Sequence, residues 1–219
     1  LHSFPTRRSS DLPTDDIVDG VVPFLAGCRR SRIRGVSGVE LSSSAPEGEL
    51  HILGYRFDID APGLAAVIAR YRSARRERNR EICERLRALG VSISMSDIEA
   101  HARGIVGRPH IAQALLDRGY SSSIREAFAR YLGRGGSAYV SRFLLPVEEA
   151  IRVIRDSGGL PVWAHPLSSL SNPNDFEPLL DRLKEMGLWG VECWFQGAKT
   201  AQVRSEEHTS ELQSHQPIS

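Results

Sequence analysis

The stretch Gly38–Asp58, GVELSSSAPEGELHILGYRFD, contains two short strand-like runs joined by a polar turn. The first run, Val36–Leu41, begins two residues before this stretch, and the second is Glu49–Phe57. Pro46 and Gly48 lie in the turn between them. Proline presets the backbone of a turn and glycine tolerates conformations that other residues avoid, so both mark a change of direction. The sequence therefore predicts two adjacent strands, and the rest of the chain is organised around them.

Each run carries one potential metal ligand among apolar neighbours, Glu40 in the first and His51 in the second. A carboxylate and an imidazole held on rigid strands suit a divalent cation such as Mn²⁺, Fe²⁺ or Zn²⁺. The residues alone leave two ordinary alternatives open, because a glutamate at a strand end is commonly solvated and a single strand histidine is commonly structural.

A long helix is predicted after Pro62 and Gly63, and Gly90 ends it. One face repeats at intervals of three and four residues, which is the period of a helix; its members are Leu64, Val67, Tyr71, Ala74, Arg78, Ile82, Leu86 and Leu89. Arg78 is a cation on this apolar face, with Arg75 one turn before it. The pair either binds an anion or extends its charged ends to solvent and to glutamates.

Two further motifs carry candidate site residues. Arg108 and His110 flank Pro109 at a predicted helix start, where free backbone N–H groups favour a phosphate, although this pattern is also an ordinary helix start. His165 follows the apolar strand Leu160–Ala164, and residues at the carboxyl ends of barrel strands are commonly metal ligands or catalytic groups. A histidine fixed only by the following Pro166 is the alternative.

The remaining pattern alternates helices with short strands. Ala61–Arg142 is a mainly helical, arginine-rich block in which Ser96–Glu99 is predicted to cap a short helix and His101 to face solvent. The other predictions are helices over Val21–Arg30, Ser122–Tyr131, Pro146–Asp156 and Phe176–Met186, a loop over Gly133–Gly136, and a strand over Gly190–Phe195 that carries Glu192.

The composition excludes several classes of protein. The formal charge of +1 gives no support for bulk nucleic-acid binding. Three cysteines without a CxxC motif indicate neither a disulfide framework nor a thiolate zinc site. There is no run of 18 apolar residues, so we expect no membrane association and a cytoplasmic location. No serine or cysteine nucleophile arrangement and no P-loop are visible, which favours hydrolysis by metal-bound water.

Seven segments resemble the PHP (polymerase and histidinol phosphatase) metal-dependent phosphoesterases, in order and in spacing, from about Asp15 to about Phe195. The resemblance is to the bacterial branch that dephosphorylates nucleoside 3′,5′-bisphosphates and trims short RNA. The segments are DGVVPFLAGCRRSRIRGVSGVELSS, HILGYRFD, RERNREICERLRALGVSIS, GRPHIAQALLDRGY, EAFARYLGRGGSAYVSR, PVEEAIRVIRDSGGLPVWAHP and GLWGVECW.

The resemblance implies an α/β fold, namely a partial PHP-type distorted (β/α) barrel interrupted by a mainly helical insertion. It implies two or three divalent ions (Mn, Fe, Zn or Mg) in the intact parent. The implied metal ligands are Glu40, His51 and His165, and the residues implied for substrate phosphate are Arg108, His110 and Arg78.

The family pattern also differs from this chain at some positions. The family has a ligand histidine where this chain has Thr14-Asp15-Asp16, so either Asp15 replaces that histidine or one residue is lost at the junction with the N-terminal residues discussed below. Glu192 matches a family glutamate whose role stays open. An early His-x-His and a late Asp-x-His are expected in the family beyond the two ends of the resemblance.

Both ends of the chain match translated sequencing-library adapters, HSFPTRRSSDL at His2–Leu12 and RSEEHTSELQS at Arg204–Ser214. Disordered polar tails are the alternative. We therefore expect residues 1–12 and 204–219 to be non-native. The native portion then divides into a first barrel segment (13–60), the helical insertion (61–142) and a second barrel segment (143–203).

These inferences predict a fragment of a metal-dependent phosphoesterase that hydrolyses a nucleotide phosphoester, either a 3′,5′-bisphosphate or short RNA. We expect the chain alone to be inactive or nearly so. A non-catalytic PHP-like interaction module is the first alternative, and an RNA- or protein-binding role for the arginine-rich block is the second. The exact substrate, the metal and the oligomeric state are beyond the sequence.

Overall fold

The computed structural model describes residues 17–102, 106–170 and 172–193, without the side chains of 17–19, 167 and 168. The predictions for Asp15, both adapter-like ends and Trp194–Phe195 lie outside these residues. Two compact units are present. The sheet-bearing unit contains the described residues of 17–68 and 144–193, and the helical unit is Ala69–Phe143.

The structure is a mixed α/β fold, as the sequence predicted. Its strands are β1 (Gly38–Ala45), β2 (Gly48–Tyr55), β3 (Leu145–Pro146), β4 (Leu160–Trp163) and β5 (Gly190–Val191). Its α-helices are α1 (Ile17–Arg30), α2 (Pro62–Ala88), α3 (Met95–Glu99), α4 (Arg108–Asp117), α5 (Ile124–Ala127), α6 (Val147–Asp156), α7 (Pro166–Ser169) and α8 (Phe176–Glu185). A π-helical turn (Phe128–Leu132) and a 3₁₀ turn (Pro173–Asp175) complete the described elements.

The five strands form one sheet in the order β3-β1-β2-β4-β5. β2 runs antiparallel to both of its neighbours, β1 and β4, whereas β1 pairs with β3 and β4 pairs with β5 in parallel. The β1–β2 hairpin is tight, since Ala45 pairs with Gly48 across Pro46 and Glu47. β2 ends at Tyr55 because the next residue, Arg56, has a left-handed backbone with φ of 61°.

One face of the sheet is apolar and packs against helices of the same unit. Leu41, Ile52 and Trp163 lie in one row across β1, β2 and β4, and each is at most 2% exposed. Trp163 stacks on Phe176 of α8 with ring centroids 5.4 Å apart. Gly54 allows α6 to approach β2, because a Cβ atom there would meet an Ile154 methylene at 3.0 Å.

The hairpin is also tied to α8 by an ion pair. Both terminal nitrogens of the Arg182 guanidinium donate to the Glu47 carboxylate, at 2.7 and 2.9 Å. This bidentate geometry is the strongest form of the arginine–carboxylate pair. It lowers the pKa of Glu47.

The helical unit has its own apolar core. Its fully buried members include Ile82, Leu86, Ile98, Ile111, Leu115 and Leu132. α2 covers the predicted long helix, and Gly90 follows its end with a φ of 78°, a conformation that favours glycine.

Three details of the helical unit differ from the sequence predictions. Leu89 is 49% exposed and does not extend the apolar face, because α2 ends one residue earlier. The cap of α3 is Ser94 with Asp97, not Ser96 with Glu99. The sequence contains two overlapping Ser-x-x-acid motifs here, and the motif alone does not show which of them begins the helix. His101 lies in the turn after α3, where its Nε2 is 3.3 Å from an oxygen of Asp117.

Within the described ranges, none of the helices has the length and apolar character needed to cross a bilayer.

Candidate metal centre

The hairpin register places the first two predicted ligands on the same face of the sheet. Ser42 pairs with His51, and Glu40 precedes Ser42 by two residues, so all three side chains leave the face opposite Leu41. The N–H of Ala164 donates to the carbonyl oxygen of His51. His165, the next residue, therefore lies directly beyond the end of β4 beside His51.

Glu40, His51 and His165 form a compact cluster, in which the three potential ligand atoms lie within 4.8 Å of one another. Nδ1 of His51 is 2.7 Å from Oε1 of Glu40 and 3.1 Å from Nε2 of His165. Nε2 of His165 is 3.8 Å from the same Glu40 oxygen. The three side chains are 21–30% exposed, so the cluster is partly shielded and still open to solvent.

The Glu40 carboxylate is ionised at neutral pH. Burial alone would raise its pKa, but hydrogen bonds and charge interactions with His165 and His51 outweigh burial and lower the pKa to about 2. A carboxylate that keeps its negative charge between two imidazoles is chemically ready to accept a cation.

The backbone of His165 is held in an uncommon conformation. Its φ of 33° and ψ of 56° are left-handed, which is costly for a residue with a side chain. The N–H of His165 donates to Oε2 of Glu192 at 2.8 Å, and Pro166 begins α7 immediately afterwards. Glu192 thus hydrogen-bonds the backbone that carries the third predicted ligand.

The structure shows other residues near the cluster that the sequence prediction did not name. Glu49 lies two residues before His51, and its Oε1 is 3.3 Å from Nε2 of that histidine. The Ser169 hydroxyl is 3.3 Å from Nδ1 of His165. Burial, followed by the charges of Glu192 and Glu40, raises the pKa of Tyr55. The period-2 alternation of β2 was a sequence signal for Glu49; Ser169 had none.

The predicted phosphate residues lie in the helical unit. Arg108 and His110 are both in the first turn of α4. The Arg108 guanidinium donates to the carbonyl oxygen of Leu132 at 3.1 Å, and Nδ1 of His110 accepts the N–H of Gly107 at 2.9 Å. Arg78 is half-buried on α2. Their role in binding substrate phosphate stays a prediction.

The chemistry of the cluster fits a divalent cation. One carboxylate oxygen and two imidazole nitrogens form a mixed O/N donor set of the kind that Zn²⁺, Fe²⁺ and Mn²⁺ accept. No other group of three such side chains stands close enough together in the described part of the chain.

Several curated proteins are similar to this chain in sequence. No family profile matches the chain. The chain is 36% identical over 132 residues to the 5′-3′ exoribonuclease Rnm of Escherichia coli, covering 60% of this chain and 45% of the relative. It is 32% identical over 152 residues to a 5′-3′ exoribonuclease of Haemophilus influenzae, covering 69% and 56%. It is also 32% identical over 157 residues to a 3′,5′-nucleoside bisphosphate phosphatase of Chromobacterium violaceum, covering 71% and 55%.

Two solved structures share the fold. A protein of Bifidobacterium adolescentis described as a metal-dependent phosphoesterase superposes with a TM-score of 0.75 at 23% identity, covering 91% of this chain and 71% of that one. An amidohydrolase of C. violaceum with bound sulfate gives 0.74 at 28% identity, covering 87% and 68%. The chain spans about half the length of the curated relatives it matches.

Proposed function

We propose that the intact protein is a PHP-type, metal-dependent phosphoesterase that hydrolyses a phosphoester of a nucleotide, either a 3′,5′-bisphosphate or short RNA. The observation that carries the proposal is the Glu40–His51–His165 cluster, which is a divalent-cation donor set in a chain whose relatives are named as a nucleotide phosphatase and as exoribonucleases.

Glu40, His51 and His165 would hold the metal. When bound, a divalent ion in such a site lowers the pKa of a water molecule and stabilises negative charge on phosphoryl oxygens. Glu40 contributes the negative charge that offsets part of the cation's charge, since its low pKa keeps it ionised. Glu192 holds the His165 backbone in its left-handed conformation, and so fixes the position of that imidazole.

Substrate phosphate is assigned, within this proposal, to Arg108 and His110 of the helical unit, with Arg78 as a further contributor. Two observations support the assignment. Arg108 and His110 share the first turn of α4, where backbone N–H groups and the helix dipole favour an anion. The contact of His110 with Gly107 uses Nδ1, and this orients the ring with its Nε2 away from that backbone.

A metal-binding measurement on the 219-residue chain tests the proposal. The chain is stripped with a chelator and titrated with Mn²⁺ and Zn²⁺ by calorimetry. We expect binding in the parent chain and much weaker binding in His165→Ala. Glu185→Ala, a change at an exposed position of α8 outside the cluster, serves as the matched control and should bind as the parent does.

A phosphate-release assay on nucleoside 3′,5′-bisphosphates and on 5′-phosphorylated short RNA completes the test. We propose that the 219-residue chain releases little or no phosphate, and that a gene extended outward from the codons for Pro13 and Val203 encodes the active protein. Absence of metal binding would instead favour a non-catalytic interaction module. Metal-dependent hydrolysis by the 219-residue chain would contradict the expected inactivity.

A further inference from the structure

We propose that Glu49 is a positioning residue that makes His51 bind the metal through Nδ1, by holding the proton of this ring on Nε2. The inference rests on the metal centre proposed above and deepens it, because it assigns the ligand atom of one residue and gives a role to a carboxylate outside the three-residue cluster.

The alternation of β2 brings Glu49 to His51. Residues two apart on a strand leave the same face of the sheet, so both side chains lie on the face that carries Glu40. The hairpin register also restrains Glu49, since its backbone pairs with Ser44 of β1 next to the turn. Glu49 is therefore carried by a paired strand and not by a mobile loop.

The two nitrogens of His51 face different groups. Nδ1 is directed at the centre of the cluster, 2.7 Å from Glu40 and 3.1 Å from His165. Nε2 is directed away from it, 3.3 Å from Oε1 of Glu49. A neutral imidazole has one N–H donor and one nitrogen with a free lone pair. Without metal, the short contact of Nδ1 with Glu40 requires a proton on Nδ1. A bound cation would displace this proton to solvent, and a proton kept between Nε2 and Glu49 then leaves the lone pair on Nδ1, the nitrogen that can reach a shared metal.

A carboxylate at this position is also a stronger hydrogen-bond acceptor for the ring than a neutral group would be. An ionised acceptor strengthens the hydrogen bond from the Nε2–H group, and electron density is pushed toward Nδ1. Glu49 is 31% exposed and His51 21%, so water competes only in part for this contact. Removal of such a carboxylate partner typically weakens metal binding about 10- to 100-fold.

The test uses the full 219-residue chain loaded with Zn²⁺, which is diamagnetic and permits nitrogen NMR of the histidine rings. Long-range proton–nitrogen spectra of the loaded protein should show His51 with a protonated Nε2 and a metal-bound Nδ1. In Glu49→Ala we expect the Nε2 proton to exchange faster and the dissociation constant for Zn²⁺ to rise about 10- to 100-fold. In Glu49→Gln, whose carbonyl oxygen can still accept a hydrogen bond from the Nε2–H group, the loss should be smaller. Glu185→Ala again serves as the control.

Each outcome supports or overturns a distinct statement. If the parent chain binds Zn²⁺ through Nε2 of His51, or if Glu49→Ala leaves both the affinity and the spectrum unchanged, the positioning role of Glu49 is wrong while the metal centre stands. If the folded parent chain binds no divalent ion, the proposed function fails first, and the inference about Glu49 fails with it. Circular dichroism of each variant establishes that the fold is retained.

Discussion

Replacement of Glu40 by glutamine is expected to remove most of the metal-dependent stability of the protein. The change keeps the size of the side chain and deletes the only carboxylate of the three-residue cluster. Glu40 is ionised in the parent chain because its pKa lies near 2, so the variant loses a full negative charge at neutral pH.

Coulomb's law gives the scale of the effect. At about 4 Å and an effective dielectric constant of about 20, a unit negative charge and a divalent cation attract by about 8 kcal/mol. Desolvation offsets much of this attraction. A net loss of about 2.7 kcal/mol is therefore a conservative expectation, and it corresponds to an affinity about 100-fold weaker.

Thermal unfolding with and without metal measures this loss. With Zn²⁺ at about 100 times the parent dissociation constant, binding stabilises the parent by about 2.7 kcal/mol. For a chain of this length that is a rise in Tm of about 5–11 °C. The variant, with a dissociation constant about equal to the metal concentration, should gain about 0.4 kcal/mol, which is at most a degree or two.

The control is Glu185→Gln, which removes an exposed carboxylate of α8 and should keep the full rise in Tm. The reasoning about the cluster would be refuted if Glu40→Gln showed a metal-dependent rise equal to that of the parent. It would be refuted equally if Glu185→Gln lost the rise, since the metal would then bind to surface charge in general.

Three further predictions concern stability. Glu47→Gln should lower the free energy of unfolding by up to about 1 kcal/mol at pH 7, because Arg182 is partly exposed. The pKa of Glu47 is lowered in the folded state, so its stabilisation is present above the ordinary glutamate pKa of 4.5 and is lost as the pH falls. Urea unfolding should therefore show a difference between variant and parent at pH 7 and little difference below pH 4. Ile52→Ala, at a fully buried position, should cost about 2–5 kcal/mol in the same assay. Ser94→Ala should cost about 0.5–2 kcal/mol as the loss of a helix cap, whereas Ser96→Ala should cost less; the reverse order would contradict the cap assignment.

The sequence predicted the strands that carry the site better than their ends. The apolar runs around Leu41 and Ile52 were long enough to mark β1 and β2, because a buried face requires apolar residues at alternate positions. The end of β2 depends on the left-handed backbone of Arg56, and no local pattern indicates that an arginine adopts this conformation. The apolar pattern therefore could not predict where the strands end.

For the candidate site, the sequence likewise predicted the residues but not all of their contacts. Resemblance to a family drew attention to Glu40, His51 and His165. The pairing of β2 with β1 and with β4 explains how the three residues come within 4.8 Å. Their binding of a metal stays a prediction. The contact of Glu192 with the His165 backbone depends on a parallel pairing between two short strands, β4 and β5, which a reading of single segments could not provide.

Because of the β1–β2 hairpin, the candidate metal centre is sensitive to whether an insertion contains an odd or an even number of residues. Glu40 and His51 meet because each lies at a matching odd or even position along its strand. A single residue inserted between Glu40 and the turn, if absorbed by sliding the strand, would send the carboxylate to the helix-packed face, whereas two inserted residues would return it to the same side. Over evolutionary time this segment should thus tolerate length changes in pairs, unless a bulge absorbs the odd residue.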